Sequence, residues 1–92
     1  MSPLSPAEIN TRLAAVPGWQ VESGELIRTF AFKDFVASLA FVNKVGELAE
    51  KAGHHPDIDI RYNKVRLALV THDAGGLTTK DFDLAVAANK LA

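Results

Sequence analysis

The feature that most constrains this chain is an alternation of apolar and charged residues on both sides of a short break. Ile58, Ile60 and Tyr62 alternate with Asp57, Asp59 and Arg61; Asn63-Lys64 interrupts; Val65, Leu67 and Leu69 then alternate with Arg66 and Ala68. A period of two sends one set of side chains to each face of a strand, and an Asn-led break joins two such strands antiparallel. The segment is expected to form a β-hairpin with one apolar face, as in an antiparallel sheet covered by helices on one side.

The rest of the chain supplies what that sheet needs. Ser5, Pro6 and Glu8 spell a helix start with a capping box; Leu4 and Ile9 flank it as a hydrophobic staple. Ile9, Leu13 and Val16 share a face before Pro17-Gly18 stops the run. From Trp19 to Phe32 the spacing reads as another hairpin broken at Ser23-Gly24, with Leu26, Phe30 and Phe32 of one parity. Its register stays open, because Arg28 falls on the inner face and Ile27 and Ala31 on the other. Asp34 caps a long helix over Phe35–Ala52 whose main stripe is Phe35, Leu39, Val42, Gly46 and Ala49, with Phe41, Val45, Leu48 and Ala52 beside it. That width exceeds what one small sheet covers, so either a second subunit or another helix of the chain is expected to take the surplus. Gly53 ends the helix in a left-handed cap. A third helix starts at Thr78 as N-cap, with Asp81 completing the capping box, Leu77 and Phe82 as staple, and Phe82, Ala85, Val86 and Asn89 as its face. The order α-β-β-α-β-β-α predicts one α+β domain over residues 1–92, an antiparallel sheet of four strands with helices packed on one face.

Composition removes several functions. Ten Lys and Arg against eleven Asp and Glu leave a formal charge of −1, which lacks the basic excess of a direct nucleic-acid binder. With no Cys there is no disulfide, thiolate nucleophile or Cys-type zinc site. No basic leader or membrane-length apolar window is present, so a soluble cytoplasmic protein with no membrane association is expected.

The chemistry concentrates in one region, since all three histidines, His54, His55 and His72, fall between positions 54 and 72. Histidine alone titrates near neutrality without perturbation, so converging imidazoles supply an acid and a base together. His54 and His55 stand on the short link between a helix end and a strand. His72 ends the returning strand of the hairpin, which brings it back toward Pro56 and puts the three rings at one sheet edge. Asp81 is accounted for by the capping box, and as a carboxylate near His72 it also orients that ring. Glu50 lies one turn before Gly53 and faces the same edge. A metal held by these histidines with Asp57 or Asp59 is disfavoured, because adjacent residues in extended chain point apart and no i, i+4 histidine pair exists. Neither a phosphate loop nor a Gly-x-Ser-x-Gly nucleophile occurs.

The stretch Glu50-Lys51-Ala52-Gly53-His54-His55-Pro56, then Tyr62-Asn63-Lys64-Val65, Thr71-His72 and Gly76-Leu77-Thr78 with Asp81, closely resembles the pterin-4a-carbinolamine dehydratase family. Gly18-Trp19 and Phe32-Lys33-Asp34-Phe35 extend the likeness over nearly the whole chain. The resemblance implies dehydration of a 4a-hydroxytetrahydropterin substrate to the quinonoid dihydropterin, after an aromatic amino-acid hydroxylase, with no cofactor and no metal. It implies a homodimer or homotetramer. Because one animal member doubles as a dimerisation cofactor for a homeodomain transcription factor, a protein-binding or coactivator module is the alternative. By motif it makes His54, His55 and His72 catalytic, while Glu50 and Thr71 match positions lining the pterin pocket and Asp81 is the acid after the third-helix cap. The chain departs from the animal members at Gly53, where they carry Asp, and at Ile58, where they carry Trp. On this reading His55 and His72 divide the acid and base roles, His54 orients the ring, and Asp81 polarises or positions a histidine.

Overall fold

Residues 2–92 are described by the structure, a computed structural model. The elements are α1 (Pro6–Leu13), β1 (Gln20–Glu22), β2 (Glu25–Ala31), α2 (Phe35–Ala52), β3 (Asp57–Arg61), β4 (Lys64–Leu69) and α3 (Thr79–Leu91), with a 3-10 turn at His72–Ala74. The strands form one antiparallel sheet in the order β1-β2-β4-β3. Element order, antiparallel pairing and helical cover on one face agree with the sequence reading.

The caps form as expected. Ser5 Oγ accepts the Glu8 N–H at 3.2 Å and Glu8 Oε1 accepts the Ser5 N–H at 2.9 Å. The Ser5 backbone N–H, then its hydroxyl, hold the Glu8 carboxyl below its ordinary value. Asp34 Oδ1 accepts the Ala37 N–H at 2.9 Å, and Gly53 closes α2 at φ 64°. That conformation suits Gly, which has no Cβ to clash.

Three details depart from expectation. The turn of the β3–β4 hairpin is Tyr62-Asn63 rather than Asn63-Lys64, because Arg61 pairs with Lys64. Asn63 is engaged elsewhere: its carbonyl accepts the Phe32 N–H at 2.7 Å and its Nδ2 donates to the Phe32 carbonyl at 3.1 Å. On α2 the buried stripe is Ser38, Phe41, Val45 and Ala49, whereas Phe35 and Leu39 are exposed. That rotation brings Phe41 against two rings of the sheet side, tilted on Phe30 at 4.7 Å and on Phe32 at 5.0 Å between centroids, and such aromatic pairs gain energy beyond their area. Finally, β4 ends at Leu69 and His72 opens a 3-10 turn, so it is not a strand residue.

Arg28 does lie on the inner face, and its charge is accommodated there. Its guanidinium sits 4.2 Å from the Phe30 ring centroid and donates to the Pro17 carbonyl at 3.1 Å and to Asn89 Oδ1 at 2.6 Å. Asn89 Oδ1 also accepts the Trp19 Nε1–H at 2.8 Å, while Asn89 Nδ2 donates to the Pro17 carbonyl at 3.2 Å. One amide therefore clamps the end of α3 to the start of the first hairpin. Among the described residues no helix is long and apolar enough to cross a membrane.

Asn89→Leu removes the shared acceptor, leaving the Trp19 Nε1–H without its partner and Arg28 with only the Pro17 carbonyl. Urea denaturation should show a loss of about 1–3 kcal/mol; an unchanged midpoint would mean that the clamp contributes nothing.

Candidate active site

The site is assembled where β3 begins and β4 ends, because Asp57 pairs with Ala68 and brings the link after α2 beside the segment after β4. His54 and His55 stand on the first of these segments, Thr71 and His72 on the second. Thr71 forms an isolated antiparallel bridge with Gly76, which folds His72–Ala74 into its turn and delivers the chain to the N-cap of α3.

Asp81 occupies the centre of this arrangement. Its side chain is fully buried at 0% exposure. Its Oδ1 lies 2.5 Å from His54 Nε2, and its Oδ2 accepts the Thr71 hydroxyl at 2.9 Å and the Thr78 N–H at 2.9 Å. An ionised Asp81 can only accept, so with the carboxylate charged the ring nitrogen facing Oδ1 would be the donor and His54 would carry its hydrogen on Nε2. Nδ1 is then the atom left for other chemistry. The imidazole that Asp81 meets is thus His54 and not His72, as the capping position had suggested.

His54 is 12% exposed and lines a cleft of about 350 Å³ between α2 and α3. Leu48, Ala52, Leu84 and Ala87 make its apolar surface; Lys51, Lys80 and Asp83 bring charge. A pocket of this size and composition is of the kind that takes a small ligand with a few polar groups. Thr71 and Asp81 stand outside that lining; their side-chain polar atoms bond to each other and to Thr78, and Asp81 also to His54. They therefore support the imidazole from within the protein rather than facing the cleft.

His55 is placed differently. Its Nε2 lies 2.5 Å from Glu50 Oε2, and both side chains are largely exposed, at 60% and 78%. A pair in that setting is weakly held and free to exchange with solvent. His72 is exposed too. The three histidines thus share one end of the β3–β4 hairpin but divide into one buried ring with a fixed hydrogen and two solvent-facing rings. The sequence reading did not identify Lys51 and Lys80 as cleft residues, nor Thr78 as more than a cap. Their placement depends on how α2 meets α3, which no local pattern encodes.

Comparison with known proteins follows from this geometry. Residues 2–91 match the model of a family described as pterin 4 alpha carbinolamine dehydratase. A protein of Acidobacterium capsulatum named a pterin-4-alpha-carbinolamine dehydratase is 62% identical over 91 residues, covering 99% of each chain. One of the same name from Chloroflexus aurantiacus is 60% identical over 91 residues, covering 99% of this chain and 98% of that one. Among solved structures, a transcriptional coactivator/pterin dehydratase from Brucella melitensis superposes with a TM-score of 0.95 at 35% identity over 99% of both chains. A pterin dehydratase-like protein identified as a RuBisCO assembly factor in the alpha-carboxysome superposes at 0.66 with 25% identity, over 80% of this chain and 86% of that one.

Asp81→Asn keeps the shape but sets an amide donor against the hydroxyl and N–H at Oδ2 or, flipped, against His54 Nε2–H. The expected cost is about 1–3 kcal/mol of unfolding free energy, read by urea denaturation; a variant as stable as the parent would contradict the bonding described.

Proposed function

The chain belongs to the pterin 4 alpha carbinolamine dehydratase family, and from that premise we propose that it dehydrates a 4a-hydroxytetrahydropterin to the quinonoid dihydropterin by histidine acid–base catalysis. The reaction would serve tetrahydropterin recycling after aromatic hydroxylation. The observation that carries the mechanism is the buried Asp81–His54 pair at the wall of the α2–α3 cleft.

In the reaction the C4a–O bond breaks, the leaving hydroxyl takes a proton, N5 loses one, and a C4a–N5 double bond forms. The products are the quinonoid dihydropterin and water, with no change of oxidation state. Two proton transfers near neutral pH are what paired imidazoles do best. His54 takes the base role: Nδ1 accepts the N5 proton while Asp81, behind Nε2–H, stabilises the imidazolium that results, as a carboxylate does behind a histidine base generally. This shifts the assignment made from sequence, in which His54 only oriented the substrate. The acid comes from the solvent-facing pair His55 and His72, which recover their proton directly from water. Glu50, bonded to His55 Nε2, orients that ring.

The test is to generate the carbinolamine in situ with a phenylalanine hydroxylase and follow its decay. Wild-type protein should accelerate decay, and His54→Ala should lower kcat/KM by about 10²–10⁴-fold, the usual contribution of a positioned proton-transfer group. Whichever of His55→Ala and His72→Ala removes the acid should fall comparably. A wild-type rate equal to buffer would overturn the activity, and a His54→Ala rate equal to wild type would overturn the base assignment.

The same reading includes a homo-oligomer. Phe35, Val36 and Leu39 form a contiguous exposed stripe on α2, with Val36 74% exposed. A small domain gains by covering such a stripe, and a second copy supplies a matching one. Sedimentation at micromolar concentration should show a dimer or tetramer that Val36→Asp converts to monomer. A wild-type monomer would leave the stripe to a different protein, the coactivator-like alternative.

A further inference from the structure

Thr78 is buried, is not itself among the cleft-lining residues and bonds to no histidine, yet its hydroxyl is one of a series that ends on Asp81. Its Oγ1 accepts the Lys80 N–H at 3.3 Å and lies 2.8 Å from Thr71 Oγ1. Thr71 has one hydroxyl hydrogen, and it goes to Asp81 Oδ2. The contact between the two threonines can therefore have only one polarity, with Thr78 donating and Thr71 accepting. Every hydrogen in the series is assigned: Lys80 N–H to Thr78, Thr78 O–H to Thr71, Thr71 O–H to Asp81 Oδ2. Among the described residues no buried side-chain polar atom lacks a partner, and every hydrogen of the series points toward Asp81, so Oδ2 is supplied with donors and the carboxyl faces His54 as an acceptor.

Capping alone does not require this. Ser, Asp or Asn caps a helix N-terminus about as well as Thr, but an Asp would have no hydrogen to give Thr71 and would place a second charge beside Asp81. We propose that Thr78 is a positioning residue for the dehydration, acting through Thr71 and Asp81 to fix His54 as the Nε2–H tautomer with Nδ1 free. The inference rests on the base role given to His54 above, but its primary readout needs no substrate.

The experiment uses full-length chain labelled with ¹⁵N-histidine, at a pH where the His54 ring is neutral. The charged groups facing His54 are Asp81 and, in the cleft, Lys51 from α2 with Lys80 and Asp83 from α3; no substitution below alters them. Wild type and Thr78→Ser should show His54 hydrogen on Nε2 alone. Thr78→Val and Thr71→Val should show a mixture of tautomers and a kcat lowered about 10- to 100-fold, the range typical when support behind a working imidazole is removed, with KM little changed. If Thr78→Val fails to fold, Thr71→Val, which leaves the α3 cap intact, carries the test. His54 remaining wholly Nε2–H in a folded valine variant overturns the proposal. Tautomer mixing in a chain that shows no dehydratase activity supports the positioning and removes only the reading it rests on.

Discussion

A carboxylate sealed from water must have its acceptor sites filled, and the way Asp81 meets that demand organises this end of the molecule. Its partners come from three places: the N-cap backbone of α3, the residue that follows the β4 exit, and the link that follows α2. Leaving any one out would strand a buried charge, so the ends of α2, β4 and α3 are tied to one another. Stability and chemistry coincide here, because the group that completes the α3 capping box is also the group that orients His54.

This division explains why the three histidines are not equivalent. His54 is largely buried, with Nε2 bonded to Asp81 and the ring among the cleft-lining groups. His55 and His72 are at the surface, where exchange with water is fast and positional control is weak. The proposed dehydration would need a base held in register with a bound ring and an acid replenished every turnover, and the two environments differ in the way those demands differ. The fold itself does not dictate the activity. A structure of TM-score 0.66 and 25% identity to this one is described as a RuBisCO assembly factor, so function has to be argued from side chains at the site.

Much of this was legible in the sequence wherever the signal is local. The capping boxes at Ser5 and Thr78 and the Gly53 stop each depend on a few neighbouring residues and form as read; the alternation from Ile58 to Leu69 gives the expected hairpin, with its turn one residue earlier at Tyr62-Asn63. What escaped depends on contacts distant along the chain. Phe35 and Phe41 both lie on apolar stripes of α2, and only the stacking of Phe41 on Phe30 and Phe32 settles which faces inward. Asp81 and His54 are 27 residues apart, so spacing could place the carboxylate near the histidines without saying which one it meets. Arg28 looked like a register error on an inner face until Asn89, 61 residues away, supplied its acceptor.

The most direct measurement is a crystal structure of the chain with a stable dihydropterin bound. His54 Nδ1 should lie within about 2.6–3.2 Å of a polar atom of the pterin, with Nε2 still on Asp81. A pterin bound away from the α2–α3 cleft, or one that leaves His54 Nδ1 without a ligand contact, would contradict the account.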